Sequence, residues 1–160
     1  MIRIEKIKAL ARFIPALLWM GVIFWFSDQP ADVSTDESVG IARQLVEIYA
    51  HFSGMEETEQ IQQSLVLEPY LRKAAHMSEY ALLAVLLYYA ISGFTSSYRK
   101  AAAISLIVSM LYSCTDEWHQ TFVSGRFGGI KDVIIDTIGA SIGLLTAFLI
   151  HRIRNSIRGS

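Results

Sequence analysis

Four apolar stretches, at about 10–27, 74–94, 101–118 and 133–150, dominate the chain. About 20 helical residues at 1.5 Å each cross the ~30 Å hydrocarbon layer of a bilayer, so each stretch is near the length of one crossing. Fifty-two per cent of the 160 residues are hydrophobic, and they run too continuously for a soluble core of this size. A backbone in hydrocarbon must satisfy its own hydrogen bonds, and runs this long do so as helices. The expectation is all-α: a polytopic membrane helix bundle of about four transmembrane helices with a helical extracytoplasmic loop at 28–71, forming one membrane domain over 1–160. The first run ends in Phe24-Trp25-Phe26-Ser27-Asp28-Gln29-Pro30 without a small-residue cleavage pattern, so it reads as a retained helix or signal anchor.

Charge orients the spans. Arg3, Lys6, Lys8 and Arg12 precede the first, Arg99 and Lys100 join the second to the third, and Arg152, Arg154 and Arg158 follow the fourth. With four crossings these segments share one side, which the positive-inside tendency assigns to the cytoplasm, termini included. The 28–71 connection carries nine acidic residues against Arg43 alone and belongs outside. Within it, Ser34-Thr35-Asp36-Glu37 has the form of a capping box, and Ile41, Leu45, Ile48 and Phe52 recur at helical spacing. That predicts an amphipathic helix on the outer membrane surface or over a site beneath it. A second short helix is expected from Glu57 to Val66, ended by Pro69, which suits the first turn of the next span. A formal net charge of −1 gives no sign of nucleic-acid binding. The single cysteine, Cys114, excludes an internal disulfide and reads as a small core residue. Trp19, Trp25, Tyr88, Tyr89 and Trp118 read as interfacial anchors.

Polar residues gather at the outer ends of the spans. Arg72, Lys73, His76, Glu79 and Tyr80 begin the second; Asp116, Glu117, His119 and Gln120 end the third; Asp132 and Asp136 begin the fourth. Residues three and four apart share a helix face, so Arg72, His76, Glu79 and Tyr80 form one stripe. Asp116, His119 and Gln120 form another, continued inward by Ser113, Ser109 and Ser105, while Glu117 falls off it and reads as a surface residue. Asp132 and Asp136 share a face with Gly139 and Gly143, a small-xxx-small pattern that admits a neighbouring helix and turns Asp136 into the bundle. An ionised group at the bilayer centre costs roughly 2.5–3.5 kcal/mol, so such a cluster needs compensation and points to a site. The loop Gly125-Arg126-Phe127-Gly128-Gly129 offers a cation among glycines whose N–H groups could form an anion-binding nest.

The segments Arg72-Lys73-Ala74-Ala75-His76-Met77-Ser78-Glu79-Tyr80, Thr115-Asp116-Glu117-Trp118-His119-Gln120-Thr121-Phe122, Gly125-Arg126 and Asp132-Val133-Ile134-Ile135-Asp136-Thr137-Ile138-Gly139, with Phe26-Ser27 leaving the first span, resemble the VanZ-like family of bacterial membrane proteins. The resemblance runs in order over essentially the whole chain and is weakest in the 28–71 connection. It implies a multi-pass protein of the cell envelope, whose namesake is associated with resistance to the glycopeptide teicoplanin, and it implies no established reaction. Some family members have carried the label phosphotransbutyrylase; no coenzyme A or phosphate-loop motif is present in this sequence.

The functional expectation is an outer-leaflet site for a phosphate-bearing membrane lipid or lipid-linked envelope precursor. Arg72, Lys73, Tyr80, Gln120 and Arg126 would bind it. His76, Glu79, Asp116, His119, Asp132 and Asp136 would act on it by hydrolysis or phosphoryl transfer. A divalent metal ion could be held by Asp116, Asp132 and Asp136 with His76 or His119. Two other classes fit the same residues: a non-catalytic binding or scaffold protein, and a small transporter, against which stands the lack of ionisable groups in the inner half of the spans.

Overall fold

In a computed structural model describing residue 7 and residues 9–158, five long helices run in the order α1 (Ile14–Ser27), α2 (Ala31–Ser53), α3 (Glu57–Ile91), α4 (Tyr98–Gln120) and α5 (Ile130–Arg158), with no strand among the described residues. The basic residues Arg3, Lys6 and Lys8, and the side chains of Arg154 and Arg158, lie outside what is described. Pro15 in the first turn of α1 has no N–H to offer Ala11. The chain before it is tightened into i→i−3 bonds, Arg12 to Ala9 and Phe13 to Leu10.

Three helical segments, Ala9–Ser27, Glu57–Ile91 and Ile130–Ile153, are long and apolar enough to cross a membrane. The third expected crossing, α4, has the length but not the hydropathy, because one whole face is Ser105, Ser109, Ser113, Asp116 and Gln120. That face is buried, while Ile107, Leu111 and Trp118 of the same helix are exposed. The whole bundle has this reversed polarity. Leu17, Leu18, Ile138 and Leu145 face outward, whereas small and hydroxyl residues fill the interior, which suits a hydrocarbon surround and not water. Cys114 is on the outer perimeter, correcting its expected place in the core. Trp19, expected as an interfacial anchor, donates its indole N–H to the Glu79 carbonyl at 2.9 Å.

α3 is the hub, packing on every other helix and most extensively on α5. The pairing depends on Gly139 and Gly143: a Cβ on the first would overlap the Met77 carbonyl, and on the second the Ala81 carbonyl. With no side chain in the way, the two backbones meet directly. Leu83, Ala84, Leu87, Ala140 and Leu144 close the core beneath, where Ile23 of α1 joins them.

α3 runs without a break through Pro69, so the short helix expected at Glu57–Val66 is the outer part of one 35-residue helix. Pro69 deprives the Leu65 carbonyl of its donor. Leu65 is exposed, so solvent can satisfy it, and the helix continues. At 1.5 Å per residue α3 is about 52 Å long, some 20 Å more than the hydrocarbon layer. The excess forms a hairpin with α2, closed by Gly54 in the left-handed conformation (φ 71°). α2 begins at Ala31, so Ser34–Glu37 lies inside it and makes no capping box. Its packing face is Ser38, Ala42, Val46 and Ala50, with the Ser38 hydroxyl 2.9 Å from Glu68 Oε1 of α3. The apolar stripe Ile41, Leu45, Ile48 and Phe52 lies on the flank of the hairpin and is exposed.

One end of the bundle is basic. Arg12 lies over the Tyr89 ring (5.3 Å) and against Gly93, while Arg152 lies over Phe148 (5.8 Å), whose ring meets Tyr98 at the start of α4. His76 and His119, with the carboxylates of Glu79, Asp116, Glu117, Asp132 and Asp136, gather at the opposite end, where the hairpin departs.

Candidate functional site

A cavity of about 310 Å³ opens at that opposite end, beneath the base of the hairpin. Arg72, Lys73 and His76 enter it from α3, Glu117 and Gln120 from α4, Arg126 and Phe127 from the α4–α5 loop, and Asp132 from α5. The loop is held over it by two ties: Ala31 N–H donates to the Ser124 carbonyl at 3.1 Å, and Gly125 takes a positive φ of 73° tight against Ala31.

A buried acidic layer lies next to the cavity. Asp116 (2% exposed) accepts at Oδ2 from the Ser27 hydroxyl at 2.8 Å and from Gln120 Nε2 at 3.2 Å. Asp136 (1% exposed) accepts from the Ser113 hydroxyl at 2.6 Å, so it faces the bundle interior as its glycine-sided stripe requires. Among the described residues the second oxygen of each carboxylate, Oδ1, has no hydrogen-bond partner, nor has the hydroxyl of Tyr80. Compensation of these carboxylates therefore comes from neutral hydroxyl and amide donors. Hydrogen bonds to a charged group contribute about 1.5–3 kcal/mol each, enough to offset much of an interfacial burial cost. The cations are not consumed by Asp116 or Asp136.

The cations are partly engaged elsewhere. Arg72 Nε is 3.5 Å from Glu68 Oε1. Arg126 donates from Nε to the Gln29 carbonyl at 2.7 Å and from Nη2 to the Phe26 carbonyl at 2.9 Å, capping the last turn of α1. Burial lowers its pKa from the ordinary value and Asp116 opposes that shift. A guanidinium stays charged through such changes, so Arg126 contributes a fixed positive charge to the cavity wall.

Two expectations are corrected here. Glu117, expected at the surface, is 5% exposed and accepts from the Gly129 backbone N–H at 2.8 Å through Oε2. The glycine-rich loop thus wraps the protein's own carboxylate, in place of the external anion proposed for its nest. Gly128 is required for this, since a Cβ there would overlap the Glu117 carbonyl. No local signal marks Glu117; the only hint is a pair of glycines one loop later in need of a partner. Ser27, which leaves the first span on this side, was legible by position but not as the donor to Asp116.

Of the expected binding residues, Arg72, Lys73, Gln120 and Arg126 line the cavity, whereas Tyr80 is fully buried with its ring 6.3 Å from Tyr112. Of the expected catalytic residues, His76 and Asp132 line it. Glu79 sits beside His76, with Oε2 3.7 Å from Nδ1, while Asp116 and Asp136 are buried off the cavity wall. His119 turns to α1, with Nε2 3.4 Å from Asp28 Oδ1 and its ring tilted by 37° against Phe24, centroids 4.4 Å apart. The expected metal ligands do not converge: among the described residues no group of three or more His, Cys, Asp or Glu could hold a metal ion. The reason is directional, because Asp116 points at Ser27, Asp136 at Ser113 and His119 at Asp28.

Three positive side chains and an imidazole around a cavity of this size suit an anion. His76, with Glu79 behind it, and Asp132 are the groups placed to exchange a proton with a guest.

No curated protein and no solved structure gives a match. The family model described as VanZ/LLP1 matches residues 13–151, which takes in α1 to α4, most of α5 and every residue of the cavity, and the chain therefore belongs to the VanZ-like family of membrane proteins.

Proposed function

We propose that the cavity binds the phosphate group of an envelope lipid or lipid-linked precursor at the outer leaflet of the bacterial cytoplasmic membrane. The observation that carries this reading is that Arg72, Lys73 and Arg126 meet at one cavity while the buried carboxylates beside it are held by neutral donors. The net positive wall is thereby left for a guest. The basic opposite end, with Arg12, Arg99, Lys100 and Arg152, supports cytoplasmic termini by the positive-inside tendency. A reporter fused to the C-terminus that becomes active outside the cytoplasm would overturn that orientation and the outer-leaflet assignment with it.

The binding reading is tested by native mass spectrometry of the purified protein with added phosphatidate. Lys73 is exposed and lines the cavity, so Lys73→Ala should abolish retention of the lipid without changing thermal stability. Retention equal to wild type in Lys73→Ala and in Arg72→Ala would refute it. The family's association with teicoplanin belongs to the same proposal. A protein that engages a lipid-linked precursor acts at the surface a glycopeptide must reach, and a resistance phenotype, if the chain confers one, should disappear in Lys73→Ala.

A scaffold reading has one specific observation in its favour: Arg126 and Glu117 spend their strongest hydrogen bonds inside the fold. Under that reading the Lys73 and Arg72 variants would be silent.

A further inference from the structure

A second cavity, of about 520 Å³, adjoins the polar one and shares Arg72, His76 and Arg126 with it. Phe26 at the end of α1 and Ile41 on α2 supply its apolar walls and Ala74, Ala75 and Ser78 on α3 its floor, while Glu37 and Glu79 also border it. The floor residues are small and exposed, and both wall residues are partly open, so the groove faces sideways out of the bundle. Its depth is informative. Ala74 to Ser78 occupy the first turns of the second span, where the headgroup layer gives way to hydrocarbon. The polar cavity therefore leads, past Arg72, His76 and Arg126, into a mostly apolar trough that opens on the side of the bundle.

We infer that the occupant is a single amphiphile, its phosphate in the polar cavity and the first part of one hydrocarbon chain in the groove between Phe26, Ile41 and the α3 floor. This rests on the phosphate reading above and adds the place where the lipid's chain is held. A soluble phosphate would fill only the first cavity and leave the groove unexplained. An uncharged lipid would fill only the second. The shared Arg72, His76 and Arg126 at the junction fix where the head ends and the tail begins. A lipid phosphate enters laterally from the leaflet, and the hairpin closes over its head.

The test uses the full-length protein in detergent and two probes, butyl phosphate and dodecyl phosphate. Ala75 is exposed, so Ala75→Trp fills the groove without entering the core. It should weaken dodecyl phosphate by about tenfold, the scale of an overpacked contact, and leave butyl phosphate unchanged within about twofold. Ile41→Glu, placing a charge on the opposite wall, should act in the same direction. If both variants bind dodecyl phosphate as wild type does while butyl phosphate still binds, the groove inference falls and the phosphate reading stands. If neither probe binds wild type, both fall. Competition identifies the source: displacement of dodecyl phosphate by a polyprenyl phosphate points to a carrier lipid, displacement by phosphatidate to a bilayer lipid, and displacement by neither overturns the inference.

Discussion

Replacing Gly139 by alanine adds one methyl group at the tightest point of the α3–α5 interface. That Cβ would overlap the Met77 carbonyl oxygen and lie 2.7 Å from Met77 Cα and 2.8 Å from its carbonyl carbon, where ordinary contact begins at 3.4 Å. These are backbone atoms in mid-helix and cannot rotate away, so relieving the overlap with the carbonyl oxygen requires the helices to separate by about 1 Å at this point. A radial gap of 0.5–1 Å forfeits about a quarter to a half of each dispersion contact, and α3–α5 is the largest interface in the bundle. Overpacking typically costs about 1–3 kcal/mol, and a rigid backbone partner puts Gly139→Ala at about 3 kcal/mol. Asp136 lies one turn away, so its 2.6 Å bond from Ser113 should lengthen and ligand retention should fall with stability. Gly21 and Gly40 supply the control, because a Cβ at either meets nothing within 4 Å. Alanine there should be neutral or stabilising by up to about 1 kcal/mol, since it improves helix propensity without a clash. The assay is equilibrium unfolding in mixed micelles, comparing the three variants. A Gly139→Ala protein as stable as wild type, or a Gly21→Ala protein equally damaged, would refute direct backbone packing as the basis of the α3–α5 pair.

Other substitutions separate the supports of the site. Ser27→Ala removes the 2.8 Å donor to Asp116, leaves Gln120 alone on that oxygen, and should cost about 1–3 kcal/mol in the same unfolding assay. Glu117→Ala strands the Gly129 N–H and should lower the melting temperature, whereas Glu117→Gln keeps an acceptor oxygen for it and should lie nearer wild type; equal loss in both would mean that charge, not the loop bond, matters. Arg126→Lys keeps the positive charge but cannot bridge the Phe26 and Gln29 carbonyls, so thermal stability should fall while phosphate binding remains measurable by titration calorimetry.

A property that repeats along one helix is legible in the sequence. Lipid-facing and interior-facing residues differ at a 3.6-residue period, so the serine stripe of α4, the inward turn of Asp136 and the packing role of Gly139 and Gly143 follow from spacing alone. Pro69 ends no helix because the carbonyl it leaves without a donor belongs to Leu65, which is exposed, and exposure is a property of the packed chain. Ile41, Leu45, Ile48 and Phe52 do share one exposed face of α2, whereas the helix packs on α3 through Ser38, Ala42, Val46 and Ala50, because beside a membrane the most apolar face of a helix need not be the one that packs on protein.

By itself the sequence determined the all-helical class, the charge difference between the two ends and the stripes of polar residues that the spans carry, since each is set by neighbours within a few residues. Only the tertiary structure decided which partner each polar group takes. Arg126 caps carbonyls 97 and 100 residues back along the chain, Asp116 is held by Ser27 from 89 residues away, and Glu117 is buried because a later loop returns to it. Hydrogen-bond partners at such separations are chosen by how helices pack, and helical periodicity carries no information about that choice.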